Sequence, residues 1–201
     1  MSKEIEIRNK LFNKTQVISF LNNNGIKAFK SNHQIDTYYD NPANSFFKDP
    51  EHVNDWIRIR EENGVFIFNY KHWLPEGAEI RTYCEETECP MKSKNELHKI
   101  LKSLNFSGEF TPFITVNKFR QSFMYKDCEI SIDEVQNLGD FIEIEYKGKD
   151  SNIHEIKKLL SKILTEIGAK VGPTDNKGYA YNLIKQKWFW KTKNLVFGNE
   201  E

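Results

Sequence analysis

The feature that most constrains this chain is a two-residue alternation in which one face of nearly every strand-like segment is ionic. Lys3–Arg8 sets Glu4, Glu6 and Arg8 against Ile5 and Ile7, and Trp56–Glu61 sets Arg58 and Arg60 against Ile57 and Ile59. Val65–His72 sets Asn69 and Lys71 against Phe66, Phe68 and Tyr70. Ile80–Glu88 aligns Glu86 with Glu88, and Ile114–Ser122 aligns Lys118 with Arg120. Met124–Asp133 sets Glu129, Ser131 and Asp133 against Ile130 and Ile132, and Phe141–Tyr146 sets Glu143 and Glu145 against Ile142 and Ile144. Period two puts each set on one side of a sheet. With Gln34–Tyr39 these segments make eight candidate strands, several separated by turn signals at Asn63-Gly64, Pro75-Glu76-Gly77 and Leu138-Gly139-Asp140.

Three segments carry the helical period instead. Asn13, with Gln16 as a capping box, opens a helix that buries Val17, Phe20 and Leu21 and stops at Gly25. Ser93 and Glu96 open a second, with Leu97, Ile100, Leu101 and Leu104 as its stripe. A third runs from about Asn152 to Gly168. The tail from Tyr179 to Trp190 is aromatic with helical character, and the Asn44–Asn54 stretch reads as a loop. Neighbouring strands without helices between them imply antiparallel hairpins.

The alternation alone fits a sheet with one solvated charged face as well as a closed barrel with a charged lumen. Two details favour the barrel. The bases cluster on some strands and the acids on others, whereas a solvated face intersperses the signs. Eight strands suffice to close around a small ligand, and the helical stripes supply apolar surface to wrap its outside. The expected fold is therefore α+β: an eight-stranded antiparallel β-barrel with helices packed on the outside, a single domain over 1–190 and a C-terminal tail over 191–201.

Arg8, Arg58, Arg60, Lys71, Lys118 and Arg120 suit a triphosphate, because Arg forks match phosphate oxygens in pairs. The carboxylates would repel that anion unless a hard cation stood between them. Carboxylate oxygens are what Mg²⁺ or Mn²⁺ requires. Acids and bases in one cavity thus make sense together as a metal–polyphosphate site. Lys+Arg and Asp+Glu both number 29, so no global basic field draws the chain to nucleic acid. No apolar run is long enough for a membrane span, and the opening Met1-Ser2-Lys3-Glu4 does not read as a signal peptide. Cys84, Cys89 and Cys128 lack metal spacing, and an odd count without an export signal fits reduced thiols in the cytoplasm. The scattered histidines make no His-x-x-x-His pair, so zinc is not expected. Trp188, Phe189 and Trp190 read as core or as a homodimer contact.

Several stretches, in order, resemble the CYTH or triphosphate tunnel enzymes. Glu4-Ile5-Glu6-Ile7-Arg8 is similar to the family's Glu-x-Glu-x-Lys signature, and Gln34–Asp40 to its second-strand motif. Trp56–Arg60 resembles Leu-Arg-Ile-Arg, Asn69-Tyr70-Lys71 resembles Thr-Tyr-Lys, and Val116–Arg120 resembles the Lys-x-Arg strand. Ile132–Val135, Leu138-Gly139 and Phe141–Glu145 are similar to the closing acidic block, and Gly178-Tyr179…Leu183-Ile184 to Ser-Tyr-x-x-Leu-Leu. The departures are Arg8 for Lys, Asn69 for Thr, Cys84 at a commonly basic position, and an extra Phe46–Asn54 loop. The Pro75–Arg81 hairpin and the aspartate-bearing second strand look most like class IV adenylate cyclases.

The resemblance implies a small-molecule triphosphate as partner: ATP, thiamine triphosphate or tripolyphosphate. It implies Mg²⁺ or Mn²⁺ on Glu4, Glu6, Asp133, Glu143 and Glu145, and phosphates on Arg58, Arg60, Lys71, Lys118 and Arg120. Arg8, Lys71 and Asp133 are the expected catalytic groups. Glu86 and Glu88 fit salt bridges and metal ligation equally. The implied reactions are ATP cyclisation with release of pyrophosphate, or hydrolysis of a terminal phosphate; a binding module without turnover is the non-enzymatic alternative.

Overall fold

The computed structural model describes residues 2–40, 53–76, 83–103, 111–149 and 152–196. The strands are β1 (Ser2–Glu4), β2 (Glu6–Leu11), β3 (Ala28–Asp40), β4 (Asp55–Glu62), β5 (Val65–Leu74), β6 (Tyr83–Met91), β7 (Thr111–Tyr125), β8 (Cys128–Val135), β9 (Gly139–Tyr146) and β10 (Val171–Thr174). The helices are α1 (Lys14–Asn23), α2 (Lys94–Ser103), α3 (Ile153–Glu166) and α4 (Tyr179–Val196). All pairings are antiparallel, and the sheet order is β1-β6-β5-β4-β3-β7-β8-β9-β2-β10.

The first strand in that order, β1, and the next to last, β2, are joined covalently. β1 and β2 are halves of one strand, interrupted only at Ile5. The first half pairs with β6, Glu4 opposite Cys84, and the second pairs with β9, Glu6 opposite Glu145. Ile5 bridges the seam, its carbonyl accepting from Tyr146 N at 3.0 Å. The sheet therefore curls onto itself through its first strand. The eight expected strands are all present, but the first is split and β10, a four-residue addition beside β2, has too little alternation to be seen in sequence.

Two further expectations are corrected. The strand expected over Met124–Asp133 is broken by a turn at Lys126-Asp127, where Lys126 adopts φ 54; Met124 and Tyr125 belong to β7. The capping box at Asn13 does not form. The Asn13 amide instead bonds Gly168 O at 2.9 Å and Lys170 N at 2.7 Å, tying the start of α1 to the end of α3. Asn152 does cap α3, accepting from Glu155 N. The Asn63-Gly64 turn between β4 and β5 has φ 51 and 77, the left-handed pair that a two-residue hairpin requires. Residues 80–82 of the fifth expected strand, most of the Phe46–Asn54 loop, part of the Pro75–Arg81 hairpin and Leu104 lie outside the described residues. α4 passes the expected tail boundary and continues to Val196; nothing is described of the side chains of Trp188, Phe189 and Trp190.

The apolar residues form two clusters. The larger lies on the outer face, where α1 (Val17, Leu21) and α3 (Ile156, Leu160, Ile163, Leu164) cover the isoleucines of β8 and β9. Those positions recur at the i, i+4, i+7 spacing of one helical face. The second cluster is built from inward-phase residues at one end of the barrel: Trp56, Ile114, Val116, Val135 and Phe141, in step with Arg58, Lys118, Asp133 and Glu143. Tyr179, Ala180, Leu183 and Ile184 of α4 pack against them. α4 thus closes over the apolar end.

Ile5 is 8% exposed and belongs to the larger cluster at the seam. Ile5→Ala is expected to cost about 2–4 kcal/mol, whereas Phe119→Ser, on the open outer face, should change stability by less than about 1 kcal/mol. Urea unfolding of the two variants checks this.

Candidate active site

The inward phase of the strands lines one cavity of about 220 Å³. Glu4, Glu6 and Arg8 come from the first strand, Arg58 and Arg60 from β4, Lys71 from β5, Glu86 and Glu88 from β6, Lys118 and Arg120 from β7, and Glu143 and Glu145 from β9. Every expected site residue except Asp133 is therefore on its wall. Asp133 is fully buried behind it. Both Asp133 oxygens are engaged: Arg120 donates at 2.7 and 2.6 Å, Tyr179 Oη at 2.8 Å and Lys118 Nζ at 3.3 Å. Its position is that of an anchor beneath two bases.

Sequence reading passed over a second anchor. Asp36 of β3 is 1% exposed and binds Arg60 at 2.7 and 2.9 Å and Arg58 at 3.3 Å. Its phase with Gln34 and Tyr38 on β3 was the available signal. Burial opposes the Asp36 charge, but Arg60 and Arg58 together hold its carboxyl well below the usual range. Lys71 lies 2.7 Å from Glu4 and 3.3 Å from Glu86, and Arg8 lies 2.8 Å from Glu6 and 3.2 Å from Glu143. Arg120 also reaches Glu143 at 2.9 Å. The lumen is thus a lattice of ion pairs, with bases and acids facing each other across strands. Cys84, the departure from a basic position, is fully buried with Sγ 3.2 Å from Glu4, and burial pushes its thiol far up.

Acids outnumber their close bases along the first strand, and protons make up the difference. Burial raises Glu4 to about 7 against the pull of Lys71, and it shares a hydrogen bond with Glu86. Burial and the neighbouring Glu143 raise Glu6 to about 8. Glu143 itself is held low: burial opposes its charge, but Arg120 and Arg8 overcome it. Among the bases, burial and then Arg120 bring Lys118 down to about 7.

The donor chemistry fits a hard divalent cation. Among the described residues no three acidic, histidine or cysteine side chains converge to hold a metal by themselves. Mg²⁺ seldom uses such a cage; one or two carboxylates plus substrate phosphate and water are its ordinary shell. The carboxyl pairs Glu4–Glu86 and Glu6–Glu143 provide that number of oxygens. The wall also keeps polar atoms in reserve. Among the described residues, Arg58 Nε is a buried donor without an acceptor, and Gln34 Oε1 and Asn69 Oδ1 are buried acceptors without a donor. The Asn69 amide nitrogen is committed to Glu86 and Glu88, which fixes its oxygen on the opposite side.

Residues 2–179 match the CYTH domain. The chain belongs to the CYTH family. It is 32% identical over 173 residues to "Putative adenylate cyclase MJ0240" of Methanocaldococcus jannaschii, covering 86% of this chain and 92% of that protein. The PH1819 protein of Pyrococcus horikoshii superposes with a TM-score of 0.69 at 25% identity, covering 91% of this chain and 99% of the other. HpAC1 of Hippeastrum superposes with a TM-score of 0.62 at 19% identity, covering 92% and 95%. The CYTH motifs fall where the resemblance placed them: the Glu-x-Glu-x-Arg strand is the seam, the two-arginine strand is β4, and the acidic block is β8–β9. The Gly178-Tyr179 motif opens α4, and Tyr179 has its hydroxyl on Asp133.

Glu4 and Glu6 bind protons more tightly in the folded chain than in the unfolded one, where 4.5 is the reference value. The folded state therefore gains protons as pH falls through that window, and stability of the metal-free protein should fall as pH rises from about 5 to 7. Glu6→Gln should flatten the slope. Denaturant midpoints measured across this range provide the check, and a rising midpoint would contradict the assignment.

Proposed function

We propose that this chain is a divalent-metal-dependent enzyme that cleaves a phosphoanhydride bond of a triphosphate bound in the barrel. The observation that carries the reading is the shared lumen, in which bases on β4, β5 and β7 face carboxylates on the first strand and β9. Arg58, Arg60, Lys71, Lys118 and Arg120 would take the phosphate oxygens, with Arg58 Nε a donor that has no acceptor among the described residues. Asp36 and Asp133 hold these guanidinium and ammonium groups in place, Asp133 from behind the wall and Asp36 almost wholly buried at it. Glu4, Glu6, Glu143 and Glu145 would hold Mg²⁺ or Mn²⁺, whose chemistry is to polarise a phosphate oxygen and acidify the attacking hydroxyl.

In the cyclase reading, a ribose hydroxyl oxygen attacks the α-phosphorus and the bond to the bridging oxygen breaks. Pyrophosphate leaves with its new charge neutralised by the Arg and Lys ladder. The name of the Methanocaldococcus relative favours this assignment. In the second reading, water attacks the terminal phosphorus in the same cradle, the bond from that phosphorus to its bridging oxygen breaks, and orthophosphate and the diphosphate leave. The Hippeastrum protein favours it, being described as a putative adenylyl cyclase with a dominant triphosphatase activity. Arg8 belongs to either scheme as a fixed cation. Burial opposes its charge, but Glu143 and Glu6 overcome this and raise it further, which suits charge stabilisation and excludes proton abstraction.

The deciding assay offers ATP, tripolyphosphate and thiamine triphosphate with Mg²⁺ or Mn²⁺, and quantifies cyclic nucleotide, phosphate and pyrophosphate. Glu143→Gln and Glu145→Gln should each lower turnover by at least about a hundredfold at subsaturating metal while the protein stays folded. Unchanged activity in both would remove them from the metal site. Mg²⁺ with tripolyphosphate should raise the melting temperature more than Mg²⁺ with orthophosphate at matched ionic strength, because a longer anion engages more of the ladder.

A further inference from the structure

The segment entering α4 touches the phosphate ladder more closely than a helix serving only as a lid would. Asp175 N donates to Arg8 O at 2.7 Å, and the Asp175 carboxylate lies 4.0 Å from Arg8 Nη1. That carboxylate also accepts from Lys177 N and Gly178 N at 3.0 Å each, which fixes the turn. Gly178 has φ +93, and a Cβ there would sit 3.4 Å from Arg8 Nη1. The next residue, Tyr179, is 5% exposed. Its ring centroid is 4.9 Å from the Arg8 guanidinium carbon and 5.1 Å from Lys118 Nζ. Phe141 braces the same ring edge-on at 4.9 Å. The hydroxyl donates to Asp133 Oδ2, the oxygen that also receives Arg120 and Lys118.

We infer that Tyr179 is a positioning residue for the triphosphate: its ring holds Arg8 and Lys118, and its hydroxyl steadies the Asp133 anchor of Arg120, so that docking of α4 completes the phosphate ladder. This rests on the proposed binding of triphosphate in the lumen. A buried aromatic face attracts a desolvated cation without neutralising it. A carboxylate would fix the same side chains but cancel the charge that the phosphates need. Tyr179 therefore orders two bases that come from β2 and β7 without adding a further negative charge to the carboxylates of Glu6, Glu143 and Asp133 that already face them. A purely structural aromatic would account for the Phe141 contact but not for two cations on one ring.

The test is calorimetric binding of tripolyphosphate and of orthophosphate, each with Mg²⁺, to the full chain and to Tyr179→Phe, Tyr179→Leu and Gly178→Ala. Tyr179→Leu should weaken tripolyphosphate about tenfold and orthophosphate much less, since a single phosphate does not need the ladder in register. Tyr179→Phe keeps the ring and should recover most of that loss. Gly178→Ala keeps the tyrosine but presses a methyl toward Arg8, and should also weaken tripolyphosphate severalfold. Equal weakening by Phe and Leu would overturn the role of the ring. Wild-type affinity in a folded Tyr179→Leu would overturn the inference, and if that variant does not fold, unchanged affinity in Gly178→Ala does so. Failure of the wild-type chain itself to bind tripolyphosphate would instead overturn the reading of the lumen.

Discussion

Charge neutralisation inside the barrel is the interaction on which everything else rests. An isolated ion moved into a low-dielectric interior costs several kcal/mol even after relaxation, so a lumen lined by unpaired arginines would not survive folding. Asp36 and Asp133 resolve this from the strands on either side of β7. Each is almost wholly buried and each takes two bases, Arg58 with Arg60 and Lys118 with Arg120. The remaining bases pair with carboxylates that are themselves on the wall. The outcome is two kinds of acid. The buried anchors stay with their bases, and the wall carboxylates can be exchanged when an anion and a cation arrive together.

This division explains what the sequence disclosed. The ionic alternation marked the inward phase of the long strands other than β3, because period two leaves no freedom once the opposite face must bury isoleucines. Glu4, Glu6, Arg58, Lys118 and Glu143 could therefore be placed on one surface from spacing alone. What spacing does not encode is depth along the tunnel. Asp133 and Glu143 share a phase, yet one lies behind the wall and the other on it. Asp36 was overlooked for the complementary reason: its strand carries Gln34 and Tyr38 in step with it, so no run of charge drew attention to it. The apolar end of the lumen was equally illegible. Val116 and Phe141 break the ionic phase of their strands, which reads in sequence as noise and in three dimensions as the seat of α4.

Local signals fared according to what competes with them. Asn63-Gly64 made the expected tight turn because left-handed backbone is required there and nothing else can supply it. Asn13 had the sequence of a capping residue, but its amide found partners at Gly168 and Lys170 across the chain. A long-range tie outcompeted a local one, and the same tie helps fix α1 and α3 side by side on the outer face.

The seam at Ile5 bears on how the molecule is made. Arg8 meets Glu143 across a separation of 135 residues, and Glu4 faces Cys84 on the other edge. Contacts of such sequence separation incur their loop-closure entropy before they return any stability, which places this chain among slow-folding topologies. On the ribosome, the first strand emerges earliest yet must wait for β9, near the end of the sheet, before it has both neighbours. Until then its edge stays unpaired, and the alternating glutamates that later face the lumen serve a second purpose. Charged side chains on a waiting edge discourage pairing with other chains, so the same residues that make the cavity ionic also protect the nascent barrel from aggregation.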